Sequence, residues 1–409
     1  MFKNKIASLT ESFHLTNIIL RLEKEGAIPI LVGGAVRDLF FRRSFKDIDI
    51  EVYGIKEEKL VLLLEQFSIV EKRGASFGVF VLKKHPFVDW SLPREDISRG
   101  RRPEVHLLDN KIIDYQRAFR RRDFTINSMG INLLTGKLID LYGGEKDIEK
   151  RRLHPVSLET FEEDPLRFYR AMQFIGRFNL KASKELLSIS SKMKLRSLAN
   201  ERVRDEFFKL ITQSKEPSKG LLFLQKSKNQ EDLFYQFLLK IKNKKAYRDK
   251  IDLLAKMKRD KKEKWFLFLQ LNTYLLQSPF FLTRSREEER SIRLFLKLTC
   301  IAQNEKWTSY YRASLLSFYL KENFSLFFSF LSLVSSEKIC RALKLSFTKN
   351  KYHEKYFTPL LTGRDMIEKK VKAPEIQKKL DEAMDLELRE RINSKSALLK
   401  KIFNEPLKS

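Results

Sequence analysis

Short strand-like patterns crowd the first part of the chain. Residues 28–32 form a continuous apolar run of strand length, and residues 47–52 alternate acidic with apolar side chains. Residues 78–82 and 87–92 are two further apolar runs on either side of the turn-like 83–86. Short helical stretches lie between them, so the chain up to residue 146 reads as one mixed α/β unit. From Asp147 onward Gly and Pro thin out and apolar residues recur at helical spacing, which predicts an all-helical remainder. Turn-rich interruptions at 215–220, 277–284 and 357–363 suggest segments 147–215, 216–356 and 357–409. The most apolar stretches, 265–282 and 324–334, are broken by Gln270, Asn272, Thr273 and serines or are too short to cross a bilayer. They read as buried helices, with no membrane association expected.

Residues 47–52 put chemistry on this pattern. Side chains at i and i+2 of a strand share a face, so Asp47 and Asp49 converge on one side while Ile48, Ile50 and Val52 bury the other. Two carboxylates on a rigid strand suit Mg²⁺, which binds one or two protein carboxylates together with substrate phosphates. Taken alone, the same pattern also fits an ordinary half-exposed strand face. Upstream, Leu31-Val32-Gly33-Gly34-Ala35-Val36-Arg37-Asp38 runs from strand-like residues through two glycines into a helix. That geometry lets backbone N–H groups approach phosphates, though it also describes a plain strand-to-helix turn. A Gly-Gly turn, an arginine and two spaced aspartates within residues 33–49 together make a coherent nucleoside-triphosphate site.

The GGAVRD and DID segments resemble the head-domain signature of the class II tRNA nucleotidyltransferases, the CCA-adding enzymes, and of related bacterial poly(A) polymerases. Further motifs follow in that family's order over most of the first 210 residues. The resemblance implies an α+β fold: a polymerase β-like nucleotidyltransferase head with a mixed sheet, then an all-helical neck, body and tail. It implies that Asp47 and Asp49 hold catalytic Mg²⁺, with Asp89 as a third carboxylate from a neighbouring strand. Residues 94–104, polar and basic, resemble the family's flexible loop beside the active site. Arg121-Arg122-Asp123-Phe124-Thr125-Ile126-Asn127 resembles the family motif that engages ribose and phosphates. Arginine suits phosphate oxygens, and Asp123 and Asn127 suit a ribose hydroxyl, while Asp123 also fits a helix cap. Asp140-Leu141-Tyr142-Gly143-Gly144 resembles a short connector out of the head.

Glu163-Asp164-Pro165-Leu166-Arg167-Phe168-Tyr169-Arg170 reads as a helix start, with Pro165 in the first turn and Arg167 and Arg170 along related faces. A carboxylate acceptor beside a guanidinium donor matches the amino donor and ring-nitrogen acceptor of both cytosine and adenine. Uracil and guanine reverse that pattern and would leave buried polar groups unsatisfied, at roughly 1 to 3 kcal/mol apiece. Helix capping by Asp164 with ordinary charge pairing is the plainer alternative. The resemblance favours base selection, since EDPLR is similar to the family's amino-acid template. The 201–206 segment resembles a family helix motif and reads as a structural brace.

Charge widens the picture to a partner. Lysine and arginine number 81 against 53 acidic residues, giving +28 and a pI near 9.8. Such a surplus attracts polyanions, nucleic acid first, although a solvated lysine-rich surface gives the same count. The two cysteines, Cys300 and Cys340, and the five histidines form no zinc-binding spacing. With no secretory leader pattern at the start, a reducing, cytoplasmic setting is expected. The expected reaction is extension of a tRNA 3′ end with CTP and ATP. The rivals are poly(A) synthesis, CC-only or A-only addition, and a catalytically silent RNA-binding scaffold. The basic-aromatic segment that such poly(A) polymerases carry after the DID strand is not found.

Overall fold

The computed structural model describes residues 3–45, 47–73, 78–98, 103–107, 114–276, 281–282, 285–304, 306–352 and 356–403. The chain divides into two compact units, Met1–Ala255 and Lys256–Ser409.

The first unit is built on strands β1 (Ile28–Val32), β2 (Ile48–Tyr53), β3 (Val70–Arg73), β4 (Val79–Leu82), β5 (His85–Ser91), β6 (Arg94–Ser98), β7 (Pro103–Leu107), β8 (Met129–Asn132) and β9 (Leu138–Asp140). Seven of them form one sheet in the order β3-β4-β5-β2-β1-β8-β9. All neighbours are antiparallel except β2 and β5, which run parallel, so the sheet is mixed as expected. Burial explains the strand patterns. Ile30, Leu31 and Val32 are enclosed on both faces of β1, while Ile48, Ile50 and Val52 are enclosed on one face of β2. The Gly34–Phe40 helix lies against β1, β2 and β8, which fixes the Gly33-Gly34 turn at the end of β1.

β6 and β7 pair with each other as a separate antiparallel ribbon, Arg94 opposite Leu107 and Ser98 opposite Pro103. The 94–104 segment read as a loop is therefore strand over its described residues, and residues 99–102 fall outside them. Polar composition does not prevent this, because strand pairing is made by backbone groups that every residue carries except the proline donor.

After β9, Asp140 accepts hydrogen bonds from Gly144 N and Glu145 N at 2.8 and 2.9 Å and so starts the Gly144–Glu149 helix. A side chain on Gly144 would meet the Thr125 carbonyl oxygen at 2.4 Å. Helices then dominate, but against the all-helical expectation Arg152–Leu153 pairs in parallel with Lys181–Ala182. Two residues on each side are too few to carry any apolar periodicity. The Leu166–Phe178 helix packs on Asn200–Gln213 and on Ser218–Ser227. Its C-terminus stops at Asn179 in the left-handed conformation.

The second unit is helical from Lys261–Leu276 to Lys395–Phe403 among its described residues. One aromatic-rich core joins Phe295, Leu316, Phe327, Leu331, Leu343 and Phe347, and a smaller one near the end joins Leu361, Met366, Ala383 and Leu398. Among the described residues no helix is long and apolar enough to cross a membrane. The interruption read at 277–284 lies outside the described residues except for Phe281 and Leu282.

Candidate functional site

A cleft of about 580 Å³ opens in the first unit beside the Gly33-Gly34 turn. It gathers Gly33, Gly34, Arg37 and Asp49 with Arg121, Arg122, Asp123 and Asn127, and with Asp164, Arg167 and Arg170. Residues separated by more than a hundred positions thus meet in one space. Among the described residues, nine cationic side chains line it against three carboxylates, those of Asp49, Asp123 and Asp164. Such a wall favours a polyanionic ligand.

The turn is glycine for a reason. Gly33 has φ 71°, and a Cβ there would stand 3.0 Å from Arg122 Nη1 and 3.4 Å from an Asp49 carboxylate oxygen. A Cβ on Gly34 would lie 3.6 Å from Arg37 Nη2. The turn is therefore a bare backbone floor between an acidic end at Asp49 and a cationic end at Arg37.

At the acidic end, β2 and β5 are in register with Asp49 beside Asp89. Asp47 is exposed just before β2. Asp49 is exposed at the cleft, with protein packed around the rest of the strand. Burial raises its pKa, Arg122 opposes this, and Asp89, Glu51 and Asp47 add repulsion. Carboxylates gathered at this end fit a divalent ion. Among the described residues no three acidic, His or Cys side chains close on a single point, so substrate oxygens would have to complete the shell. Asp89 meanwhile pairs with Arg73 at 3.2 Å.

The alternation expected of β2 holds for Ile48, Ile50 and Val52 but not for Glu51, which shares the Asp49 face and is buried. Its Oε1 accepts from Arg122 at 2.8 Å and Arg121 at 3.3 Å, and its Oε2 from Tyr53 at 2.9 Å. The two arginines read as phosphate ligands thus also neutralise a buried glutamate. This pairing joins β2 to residues about 70 positions away and leaves no local spacing in the sequence.

A second buried chain of polar contacts crosses the cleft. Arg37 Nη1 donates to Asn127 Oδ1 at 2.8 Å, Asn127 Nδ2 to Asp123 Oδ1 at 2.9 Å, and Arg170 Nε to Asp123 Oδ2 at 2.7 Å. Arg37 also pairs with Asp38 at 2.8 Å. Despite burial, the Arg170 guanidinium and the Asn127 amide keep Asp123 below the usual carboxylate range. Burial in turn lowers Arg37. Asp123 further accepts from Phe124 N at 2.8 Å, but it does not cap the Thr125–Asn127 turn of helix, whose N-cap is Phe124.

At the far wall Asp164 is extended ahead of Pro165, and its Oδ1 accepts from Leu166 N at 3.1 Å. Arg202, from the 201–206 motif, stands 3.9 Å from the same oxygen. Arg167 does not pair with Asp164. Its Nη1 and Nη2 donate to the carbonyls of Thr160 and Arg121 at 2.5 and 2.6 Å, which pins the guanidinium and spends two of its five N–H groups. Glu206 is buried against Lys209 at 2.7 Å. Gln173, Phe174, Arg177 and Lys209 also line it and were not singled out from the sequence. The first three continue the Arg167 and Arg170 face at helical spacing, a signal that could have found them.

Residues 30–154 match the family described as the Poly A polymerase head domain. Among curated proteins, the CCA-adding enzyme of Bacillus cytotoxicus is 32% identical over 201 residues, which cover 48% of this chain and 49% of that enzyme. The match thus spans about half the length of that relative. Two solved structures are similar over nearly the whole chain. The Bacillus stearothermophilus CCA-adding enzyme in complex with CTP has a TM-score of 0.64 at 19% identity, covering 95% of this chain and 96% of that one. The Thermotoga maritima CCA-adding enzyme complexed with tRNA also has a TM-score of 0.64 at 19% identity, covering 97% and 95%. The chain is therefore similar to the Poly A polymerase head domain over residues 30–154, and as a whole it has the fold of the CCA-adding enzymes.

Proposed function

We propose that this protein is a tRNA nucleotidyltransferase that adds C, C and A to a tRNA 3′ end from CTP and ATP without a nucleic-acid template. The observation that carries the reading is one cleft holding a carboxylate-bearing strand, a glycine floor, a wall of guanidiniums and the Asp164–Arg167 helix start. The relatives named for CCA addition, and the similar structures holding CTP or tRNA, support the same choice of substrates.

In this reading residues 1–146 are the catalytic head, 147–215 a neck carrying the base-selecting residues, 216–356 a body and 357–409 a tail. The setting is cytoplasmic. Asp47 and Asp49, with Asp89 alongside, would hold Mg²⁺, which when bound activates the 3′-hydroxyl and offsets charge on the departing pyrophosphate. Gly33 and Gly34 bring their backbone close to the triphosphate, and Arg37, Arg121 and Arg122 supply positive charge along it. Asp123 and Asn127, held rigid by Arg37 and Arg170, orient the sugar. Asp164 accepts from the amino group of cytosine or adenine, and Arg167 donates to the ring nitrogen with an N–H that its backbone carbonyls leave open. The 3′-oxygen attacks the α-phosphorus and pyrophosphate leaves.

The test is to incubate the protein with Mg²⁺ and a tRNA ending at the discriminator base, giving CTP and ATP separately and together. Two additions with CTP and three with both are expected, read at single-nucleotide resolution. A stop at CC, a lone A or a long A tail would reassign it to the corresponding partial enzyme or poly(A) polymerase. Bound but unextended RNA would make it a silent scaffold.

A further inference from the structure

The Leu166–Phe178 helix carries one cation to which the scheme above gives no task. Arg167, Arg170, Phe174 and Arg177 follow one another at spacings of three and four and share the face that lines the cleft. Arg170 is neutralised by Asp123 at 2.6 Å, and Arg167 is pinned by two carbonyls. Arg177 has neither kind of partner. Its Nη1 donates to the buried Gln173 Oε1 at 3.0 Å, and its Nε is buried without an acceptor. Among the described residues no carboxylate lies within ion-pair distance of it.

Arg177 is instead packed among other cations. Its guanidinium stands 5.2 Å from the centre of the Phe178 ring, which Arg37 and Arg43 approach at 4.6 and 4.4 Å. Asp38 is nearby but is already engaged by Arg37. Burial, followed by repulsion from Arg37, brings Arg177 down to about 10. A half-buried guanidinium in like-charge company is unfavourable until an anion joins it.

The cleft gives that anion a direction. From the Asp49 carboxylate the floor passes Gly33, then Gly34 and Arg37, and Arg177 lines the same cleft close enough to Arg37 to feel its charge. A triphosphate with its α-phosphate near Asp49 extends along this line. We propose that Arg177, oriented by Gln173, binds the terminal phosphates of the incoming nucleotide. The inference rests on the nucleotidyl-transfer reading and adds a phosphate-binding residue to it.

The experiment is calorimetric binding of CTP and of CMP, with Mg²⁺, to the full-length wild type and to Arg177→Met, Arg177→Lys and Gln173→Ala. Arg177→Met is expected to weaken CTP binding about tenfold or more, the loss of one charge-assisted contact, and to leave CMP nearly unchanged. Arg177→Lys should recover part of the loss, and Gln173→Ala should show a smaller one for CTP alone. Equal losses for CTP and CMP would mean a structural role and overturn the assignment, as would no loss for either. A wild type that binds neither nucleotide, or binds both alike, would instead bring down the nucleotidyltransferase reading itself.

Discussion

At the scale of single residues, the cleft's acidic end shows function working against stability. Because burial and neighbouring carboxylates raise the pKa of Asp49 in the folded protein, unfolding releases an easier ionisation. The cost is absent at acid pH, appears as pH rises above the ordinary carboxylate value, and is complete above the raised folded value. Asp49→Asn should therefore raise the melting temperature of the metal-free protein at neutral pH but not at acid pH, while abolishing nucleotide incorporation and leaving tRNA binding intact. Scanning calorimetry at two pH values and the extension assay check both halves, and unchanged turnover would remove Asp49 from the site. At the opposite wall, Arg167→Ala should reduce selectivity for CTP over UTP by roughly tenfold or more, the cost of one mismatched buried donor. Competition between CTP and UTP measures it, and a fixed selectivity would defeat the base-reading role. Asp49, Gly33, Gly34 and Asp164 were legible because their spacing is local. The Glu51 clamp and the like-charge surroundings of Arg177 were not, since each depends on which distant residues become neighbours.

At the scale of elements, two glycines decide how closely the helices behind the cleft approach. A Cβ on Gly220 would meet the Met172 carbonyl oxygen at 2.5 Å, and one on Gly176 would meet Leu210 Cδ1 at 2.3 Å. The first obstacle is backbone of the helix that carries Arg167 and Arg170, and the second is the tip of a side chain that can rotate away. Gly220→Ala is accordingly expected to destabilise by about 1 to 3 kcal/mol, more than Gly176→Ala, and to weaken nucleotide binding as the helix is displaced. Denaturant titration of both variants gives the order, and an equal or reversed order would contradict this packing. Sequence periodicity found these helices and the main strands because burial on one face writes itself into every third or second residue. It missed the β6–β7 ribbon, whose pairing is carried by backbone, and the two-residue Arg152–Leu153 strand, which is too short for a period.

For the whole molecule, the surplus of positive charge has two destinations that salt can tell apart. Among the described residues of the cleft, nine cations face three carboxylates, and most are tied into pairs or backbone contacts that solvent ions reach poorly. The formal charge of +28 requires most of the excess to lie elsewhere, over surfaces that can neutralise the phosphates of a bound polyanion and release the counterions condensed on it. Affinity for tRNA should fall linearly with salt on logarithmic axes, by roughly a thousandfold or more between about 50 and 200 mM if six or more phosphates are contacted. CTP binding should fall far less over the same range, since it meets a few desolvated groups. Asp49→Asn should shift neither slope, because it changes one carboxyl inside the cleft and none of the outer cations. Filter binding of labelled tRNA against calorimetry of CTP makes the comparison. A tRNA affinity indifferent to salt would mean that the surplus charge is merely solvated surface, and the RNA would then have to be held by the cleft alone.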